Sequence, residues 1–494
     1  MSHPYSVVIS IVMSAVALLS LSVHAQNLGP VPTQTITQDL NDWPVYNHDV
    51  VGTRFNPAET TLSRKSVGGL TQKWIFQTKG DVYATPSVVN DVVYAGDAEI
   101  TNGIPKGTFY ALTRAGELRW QKSGFGAITA SALVTNGTNG THGMVIFGDQ
   151  TGFIYGLDRE NGNLLWGPVQ ADHHDMNPTA VIYGCPVLVD GQVVIGVSSN
   201  EGAAKKTFRG SVVSLNPNNG SINWQQYLIT DKEQEKGSAG AGVWSTPTYD
   251  ADTKTVYITT GNNYTEPTTQ TSDAFVALDV SDPENSEKER IKWIFQAVKN
   301  DKGQIEADIG DSPQVYTLSS GEKVVGAGQK QTGVYWVLDA NTGALVNDIQ
   351  AVPSCKGSEG LFADSAVSDG VVFVNGVNCK LQTFPPTGPG VVIALKSDAT
   401  EPMLWEFIMP NSLAPVLSGV AVANGVVYFH DSAPTSSLYA LDATTGKPLT
   451  KLQLQTSGAI SGPSVSNGQI YVGTGTLFAS GFPSATGIVA FGLP

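Results

Sequence analysis

Short runs in which apolar and polar residues alternate follow one another along most of the chain, separated by Gly, Asn, Asp and Pro. A period of two is the mark of a half-buried β-strand, and those four residues punctuate tight turns. Pro186-Val187-Leu188-Val189-Asp190-Gly191-Gln192-Val193-Val194-Ile195 reads as strand, Asp-Gly turn, strand, and Gly462 to Tyr471 repeats it around Asn467-Gly468. A second signature recurs after such hairpins: a small or aromatic residue, Leu, usually Asp, then Gly and often Trp. It runs Ala111-Leu112 to Gly116 and Trp120, Gly156-Leu157-Asp158 to Gly162 and Trp166, and Ser214-Leu215-Asn216 to Gly220 and Trp224. A stretched copy joins Ala277-Leu278-Asp279 to Trp293, and later copies begin at Val337, Ala394 and Ala440, with Asn347 and Thr450 standing for Trp in two of them.

Hairpin, A-L-D strand and Trp-bearing strand make four strands per repeat, at spacings of roughly forty to sixty residues that fit propeller blades. Seven copies are explicit, and the segment from Ser457 to Phe491 supplies most of an eighth. The expected fold is all-β: an eight-bladed β-propeller of four-stranded antiparallel blades, docked by their tryptophans. Residues near Trp43 are expected to complete the last blade, so that no edge is left free. The repeated tryptophans are therefore read as structure. Trp244 stands outside the repeat. Ser245–Tyr249 and Lys254–Thr259 read as a strand pair about a turn at 250–253, with Trp244 before it and Asn262 after it. Both ends of such a hairpin meet at one rim, where an indole and a carboxamide can face a flat, oxygen-rich ligand. Taken alone, the two residues also fit a packed Trp and a turn Asn.

Composition narrows the partners. The chain has 494 residues, only 14% of them charged, and a net charge of −15, which disfavours non-specific binding to nucleic acid or anionic lipid. Residues 1–25 read as a signal peptide: Val7 to Val23 is apolar, and Val23-His24-Ala25 offers a small-x-small cleavage site. An uncleaved anchor is the other reading. Residues 26–40 follow as a linker, and 41–494 form one propeller domain, with no later run able to span a membrane. Export, to the periplasm or outside the cell, is the expectation. Of three cysteines, Cys355 and Cys379 are the expected oxidised pair, while Cys185, beside Pro186, packs as a small buried side chain. His173-His174-Asp175 is a polar loop: adjacent residues rarely ligate one ion, and no third ligand lies at a standard spacing.

These repeats, the opening Asp42-Trp43-Pro44-Val45-Tyr46-Asn47-His48-Asp49 with Gly52-Thr53-Arg54, and the segments 196–201, 260–262 and 328–330 together resemble the quinoprotein alcohol dehydrogenases that bind pyrroloquinoline quinone (PQQ). Among these the chain is most similar to the polyvinyl-alcohol dehydrogenase type, over essentially all of the expected mature chain. The resemblance implies Ca2+ held by Glu201 and Asn262, with Asp308 at the same ion. Oxygen ligands suit that hard cation, which would polarise a quinone carbonyl. It implies that the quinone lies on Trp244 and is hydrogen-bonded by Lys330, with Ser198 at a cofactor carboxylate. It implies Asp308 as the general base for the hydroxyl proton, with Asp311 the competing candidate, and Asn378 as a cavity residue. Gly310 stands where lanthanide-using relatives carry a further carboxylate, which favours Ca2+. Residue by residue, Glu201 also fits a solvated loop carboxylate and Lys330 an exposed lysine.

No vicinal Cys-Cys and no C-x-x-C-H haem motif occurs, so the implied electrons would leave to a separate acceptor, such as cytochrome c or a quinone-linked carrier. The implied substrate is a small or polymeric alcohol, secondary or polyvinyl-alcohol-like. Two other readings stay open: a non-catalytic scaffold propeller for protein assembly, since such propellers share the docking motif, and a quinoprotein acting on sugars.

Overall fold

The structure, a computed structural model, describes residues 35–36, 39–101, 104–137, 143–200, 205–299, 307–354, 360–378, 389–410, 415–433, 435–454, 460–475 and 486–494. The leader, Glu201, Cys355 and Cys379 lie outside the described residues. Pro32–Pro494 form one compact unit. Its strands make eight sheets, each built on four antiparallel strands, the eight blades of a propeller. Blades 1 to 7 span 87–125, 133–170, 187–227, 248–296, 314–350, 366–408 and 421–453 in chain order. In blade 3 every residue of the first two strands, Val187–Val189 and Gln192–Ser199, is buried. The outermost strand is largely exposed, as Leu118–Phe125 is in blade 1, where only Trp120 and Phe125 are buried. Hydrophobic burial is thus graded from inner strand to rim.

Blade 8 closes the ring. Ser464–Ser466, Gln469–Thr474 and Gly487–Gly492 are its inner strands, and Thr71–Gln77 from the other end of the chain is its outermost. The expectation that residues near Trp43 complete this blade is corrected: the closing strand carries Trp74 instead. Its indole N–H donates to the Arg114 carbonyl of blade 1 at 2.9 Å.

The same joint repeats round the ring. Trp120, Trp166, Trp293 and Trp405 donate to the carbonyls of Arg159, Pro217, Ala340 and Ala443 in the following blades, at 2.8–3.1 Å. Each indole face lies on the repeat glycine of that next blade, so a Cβ on Gly162, Gly220, Gly343 or Gly446 would come within 2.5–2.6 Å of the ring. The stretched fourth copy lacks the glycine, and there the Arg290 guanidinium stacks on Trp224 at 4.2 Å. Asn347, in place of Trp, still donates across the joint to the Ser397 carbonyl at 2.9 Å.

Residues 43–56 form a belt across the inner strands. Trp43 pairs with Val88 of blade 1, and the Pro44 carbonyl accepts from Val134 of blade 2. The carbonyls of Val50, Val51, Thr53 and Arg54 then accept from Tyr249, Val315, Val367 and Val422, in blades 4 to 7. The Asn56 carboxamide finally donates to the Val465 carbonyl of blade 8 at 2.8 Å. Arg54, fully buried, donates to the carbonyls of Val420, Tyr46 and Pro463 and stacks on the Tyr46 ring. A short segment thereby satisfies backbone groups that the innermost strands would leave unpaired.

Candidate active site

Blade 4 carries the hairpin singled out in the sequence, with shorter strands than expected: Thr248–Asp250 and Thr255–Thr259. Ser245 to Pro247 precede the first strand as irregular chain, part of which bonds outside blade 4. The Thr246 N–H, for one, donates to Ser312 Oγ at 3.0 Å. The two ends of the hairpin do meet at one rim. The Gly261 N–H donates to the Gly242 carbonyl at 2.8 Å, and the Ala241 N–H to the Asn262 carbonyl at 3.0 Å.

This joint assembles a buried polar cluster. Asp308, on the segment leading into blade 5, accepts the Asn262 backbone N–H on Oδ1 at 2.8 Å and the Lys330 ammonium on Oδ2 at 3.1 Å. All three residues are buried. The Lys330 N–H also donates to the Asp308 carbonyl at 3.2 Å, so the pair is tied through backbone as well as side chain. The Lys330 Nζ lies 5.5 Å from the Trp244 ring centroid and 5.7 Å from that of Phe362. An ammonium between two aromatic faces gains quadrupole attraction that offsets part of its lost hydration.

The Trp244 indole is bracketed by glycines. A Cβ on Gly310 would stand 2.0 Å from Trp244 Cη2, and one on Gly261 would stand 3.4 Å from Nε1 and 3.3 Å from Asp308 Oδ1. Its rings border a cavity of about 790 Å³, whose wall includes Tyr46, Tyr183, Asn200, Phe362 and Asp364, a size suited to a small-molecule site. Asp308, Asn262 and Lys330 do not line that cavity themselves; Trp244 and Phe362 do. Ser198 is buried at the end of Gln192–Ser199, its Oγ packed on Gly242. Asn378 was expected in the cavity wall, but it is absent from the lining, with its backbone N–H bonded to the Pro389 carbonyl.

Asp311 has a different environment. It is fully buried, and its carboxylate accepts from Gln314 Nε2, the backbone N–H of Gly328 and both the N–H and the hydroxyl of Ser365 at 2.6–2.9 Å. Burial, and after it the Asp364 charge, push its pKa up to about 7. With four donors on its two oxygens it is a blade-to-blade strut, with no capacity left for a substrate hydroxyl. Asp364 accepts from Tyr46 Oη and from the Ser312 N–H, and it faces the cavity.

Cys185 is a buried free thiol that burial pushes up to about 12. Asp175 is engaged by Arg209 at 2.7 and 3.0 Å. Among the described residues no three His, Cys, Asp or Glu side chains gather as a metal cluster.

The arrangement suits a flat, oxygen-rich ligand beside a cation. Among the described residues the Asn262 carboxamide makes no hydrogen bond, although the residue is 7% exposed. Asp308 accepts two hydrogen bonds, where its oxygens offer about four sites. Sequence reasoning missed Phe362, Asp364 and Tyr46. Tyr46 lies in the quoted opening segment, whereas Phe362 and Asp364 carry no motif.

A family model described as the glucose/ethanol/alcohol dehydrogenase β-propeller domain, PQQ, matches residues 168–360, and one described as outer membrane protein assembly factor BamB matches 388–491. A polyvinylalcohol dehydrogenase of Pseudomonas sp is 26% identical over 88% of this chain and 73% of its own length. That of Sphingopyxis sp. (strain 113P3) is 24% identical over 92% of this chain and 75% of its own. The solved quinohemoprotein alcohol dehydrogenase from Comamonas testosteroni shares the fold, with a TM-score of 0.71 at 17% identity over 92% of this chain and 80% of its own.

Proposed function

We propose, from the premise that this chain belongs to the PQQ-dependent quinoprotein alcohol dehydrogenases, that it oxidises secondary or polymeric alcohols of the polyvinyl-alcohol kind. The observation that carries the reading is the buried Asp308–Lys330 pair, with Asn262 at its side, behind the indole of Trp244. The assembly-factor likeness covers residues 388–491 and none of these positions.

When bound, PQQ supplies the two-electron oxidant for the carbinol C–H, and Ca2+, at Glu201, Asn262 and Asp308, supplies Lewis-acid polarisation. The residues of the chain do the rest. Trp244, fixed at both edges by glycine, offers one flat face for stacking. Lys330 donates to ring oxygens, and Ser198, at the end of its strand, to a cofactor carboxylate. Asp308 takes the hydroxyl proton as hydride leaves the carbinol carbon. The Asn262 N–H on Oδ1 and the Lys330 ammonium on Oδ2 hold its carboxylate in one orientation, so the base is placed before substrate arrives. The net change is alcohol to carbonyl, with two electrons passing on to a separate acceptor such as cytochrome c or a quinone-linked carrier. The apolar leader at 7–23 supports export to the periplasm or beyond, and among the described residues no helix is long and apolar enough to cross a membrane.

The test is titration of the purified protein with PQQ, with and without Ca2+, read by tryptophan quenching and by dye reduction over a panel of alcohols and sugars. Ca2+-dependent quenching that Glu201→Ala abolishes is expected. Asp308→Asn is expected to keep the quenching and lose about 10²–10⁴-fold in kcat. No quenching under any condition would leave a scaffold propeller instead, and turnover confined to sugars would move the substrate class.

A further inference from the structure

The residues that would do the chemistry and the cavity that would receive the substrate are separated by two aromatic rings. Asp308, Asn262 and Lys330 are buried and do not border the cavity, whereas Trp244 and Phe362 do. The two ring centroids are 6.3 Å apart and inclined at 53°, with the Lys330 ammonium within 5.7 Å of both. Trp244 cannot yield, because Gly310 and Gly261 back its two edges at distances that leave no room for even a methyl group at position 310.

Phe362 differs. Its backbone is held: Gly360, at φ +104°, is pressed so closely on the Lys330 carbonyl that a Cβ would lie 1.5 Å from that oxygen. Leu361 and Ala363 on either side are buried. Its ring, however, is half-buried and stands in the cavity wall. Trp244 is half-buried in the same wall, but among the described residues no glycine packs against the Phe362 ring as Gly310 does against Trp244.

We propose that Phe362 is the specificity-determining side chain of this site, setting how wide a carbinol can pass from the cavity to Asp308. The inference rests on the alcohol-oxidising reading above. Removing the ring widens the passage and favours branched alcohols, and a larger ring narrows it and favours linear ones.

The experiment compares wild type, Phe362→Ala and Phe362→Trp in the quinone- and Ca2+-loaded protein. It measures kcat/KM for a linear primary and a branched secondary alcohol, and quinone affinity by tryptophan quenching. Expected is a rise of about tenfold in the branched-to-linear ratio for Phe362→Ala and a fall of similar size for Phe362→Trp, the scale set by a methylene or two of pocket space. Quinone affinity should stay within about threefold in both. A ratio that stays fixed, or moves the same way in both variants, overturns the proposal. So does a collapse of quinone affinity at an unchanged ratio, which would make Phe362 a wall for the cofactor alone. No turnover in the wild type would overturn both readings, whereas wild-type turnover with a fixed ratio overturns only this one.

Discussion

Asp308 and Asp311 are the same residue type, three positions apart, and both are buried. Asp308 keeps acceptor capacity beside Lys330, and Asp311 spends all of its own on blades 5 and 6. That difference has a measurable consequence in pH. Burial and Asp364 raise Asp311 to about 7, while an unfolded aspartate titrates near about 3.9. The unfolded chain therefore gives up this proton first. The stability linked to it is fully present below about pH 4, declines as pH rises, and is lost above about pH 7. In Asp364→Asn one of the two upward causes is gone, so the fall in denaturation midpoint between pH 4 and pH 7 should be shallower than in the wild type. Equal slopes would show that Asp364 does not set the titration of Asp311.

At the scale of elements, the blade joint is one unit of sequence used repeatedly: an indole N–H on a carbonyl, and its ring on a glycine. The glycine matters for two reasons, a φ of +70° at Gly220 and a Trp166 ring that would lie 2.5 Å from any Cβ. Gly191 has a similar φ, +77°, with open space around it. Gly191→Ala should therefore cost only backbone strain, about 1 kcal/mol. Gly220→Ala adds displacement of the indole and should cost about 2–4 kcal/mol. Urea unfolding of the two variants separates the terms, and equal losses would mean that the ring contact contributes nothing. Arg290 on Trp224 and Asn347 on Ser397 show the joint surviving where the motif itself is broken.

At the scale of the whole molecule, both ends of the described chain hold the ring closed: Thr71–Gln77 pairs with Gly487–Gly492, and the belt at 43–56 bonds to blades 1, 2 and 4 to 8. Truncation after Thr486 removes the strand to which Thr71–Gln77 pairs and leaves two edges open. Loss of a single cooperative thermal transition, with association on size-exclusion chromatography, is the expected result. A wild-type melt would refute closure by this strand. The number of blades, their four strands and the docking role of the tryptophans were legible in the sequence, because period-two alternation and turn residues are local properties that repeat. Trp74 escaped notice because its strand stands alone, hundreds of residues from the sheet it completes, and Trp43 was assigned to the blade it does not complete. The convergence of blade 4 on one rim was legible from hairpin geometry, and the resemblance to a family singled out Trp244, Asn262, Asp308 and Lys330, side chains that the structure brings together. Which aspartate is spent on structure, which glycines seat Trp244, and that Phe362 and Asp364 face the same cavity were decided only by the tertiary structure. Those facts depend on distances between blades, and such distances are set by how rigid sheets pack round a ring, which no stretch of the chain encodes by itself.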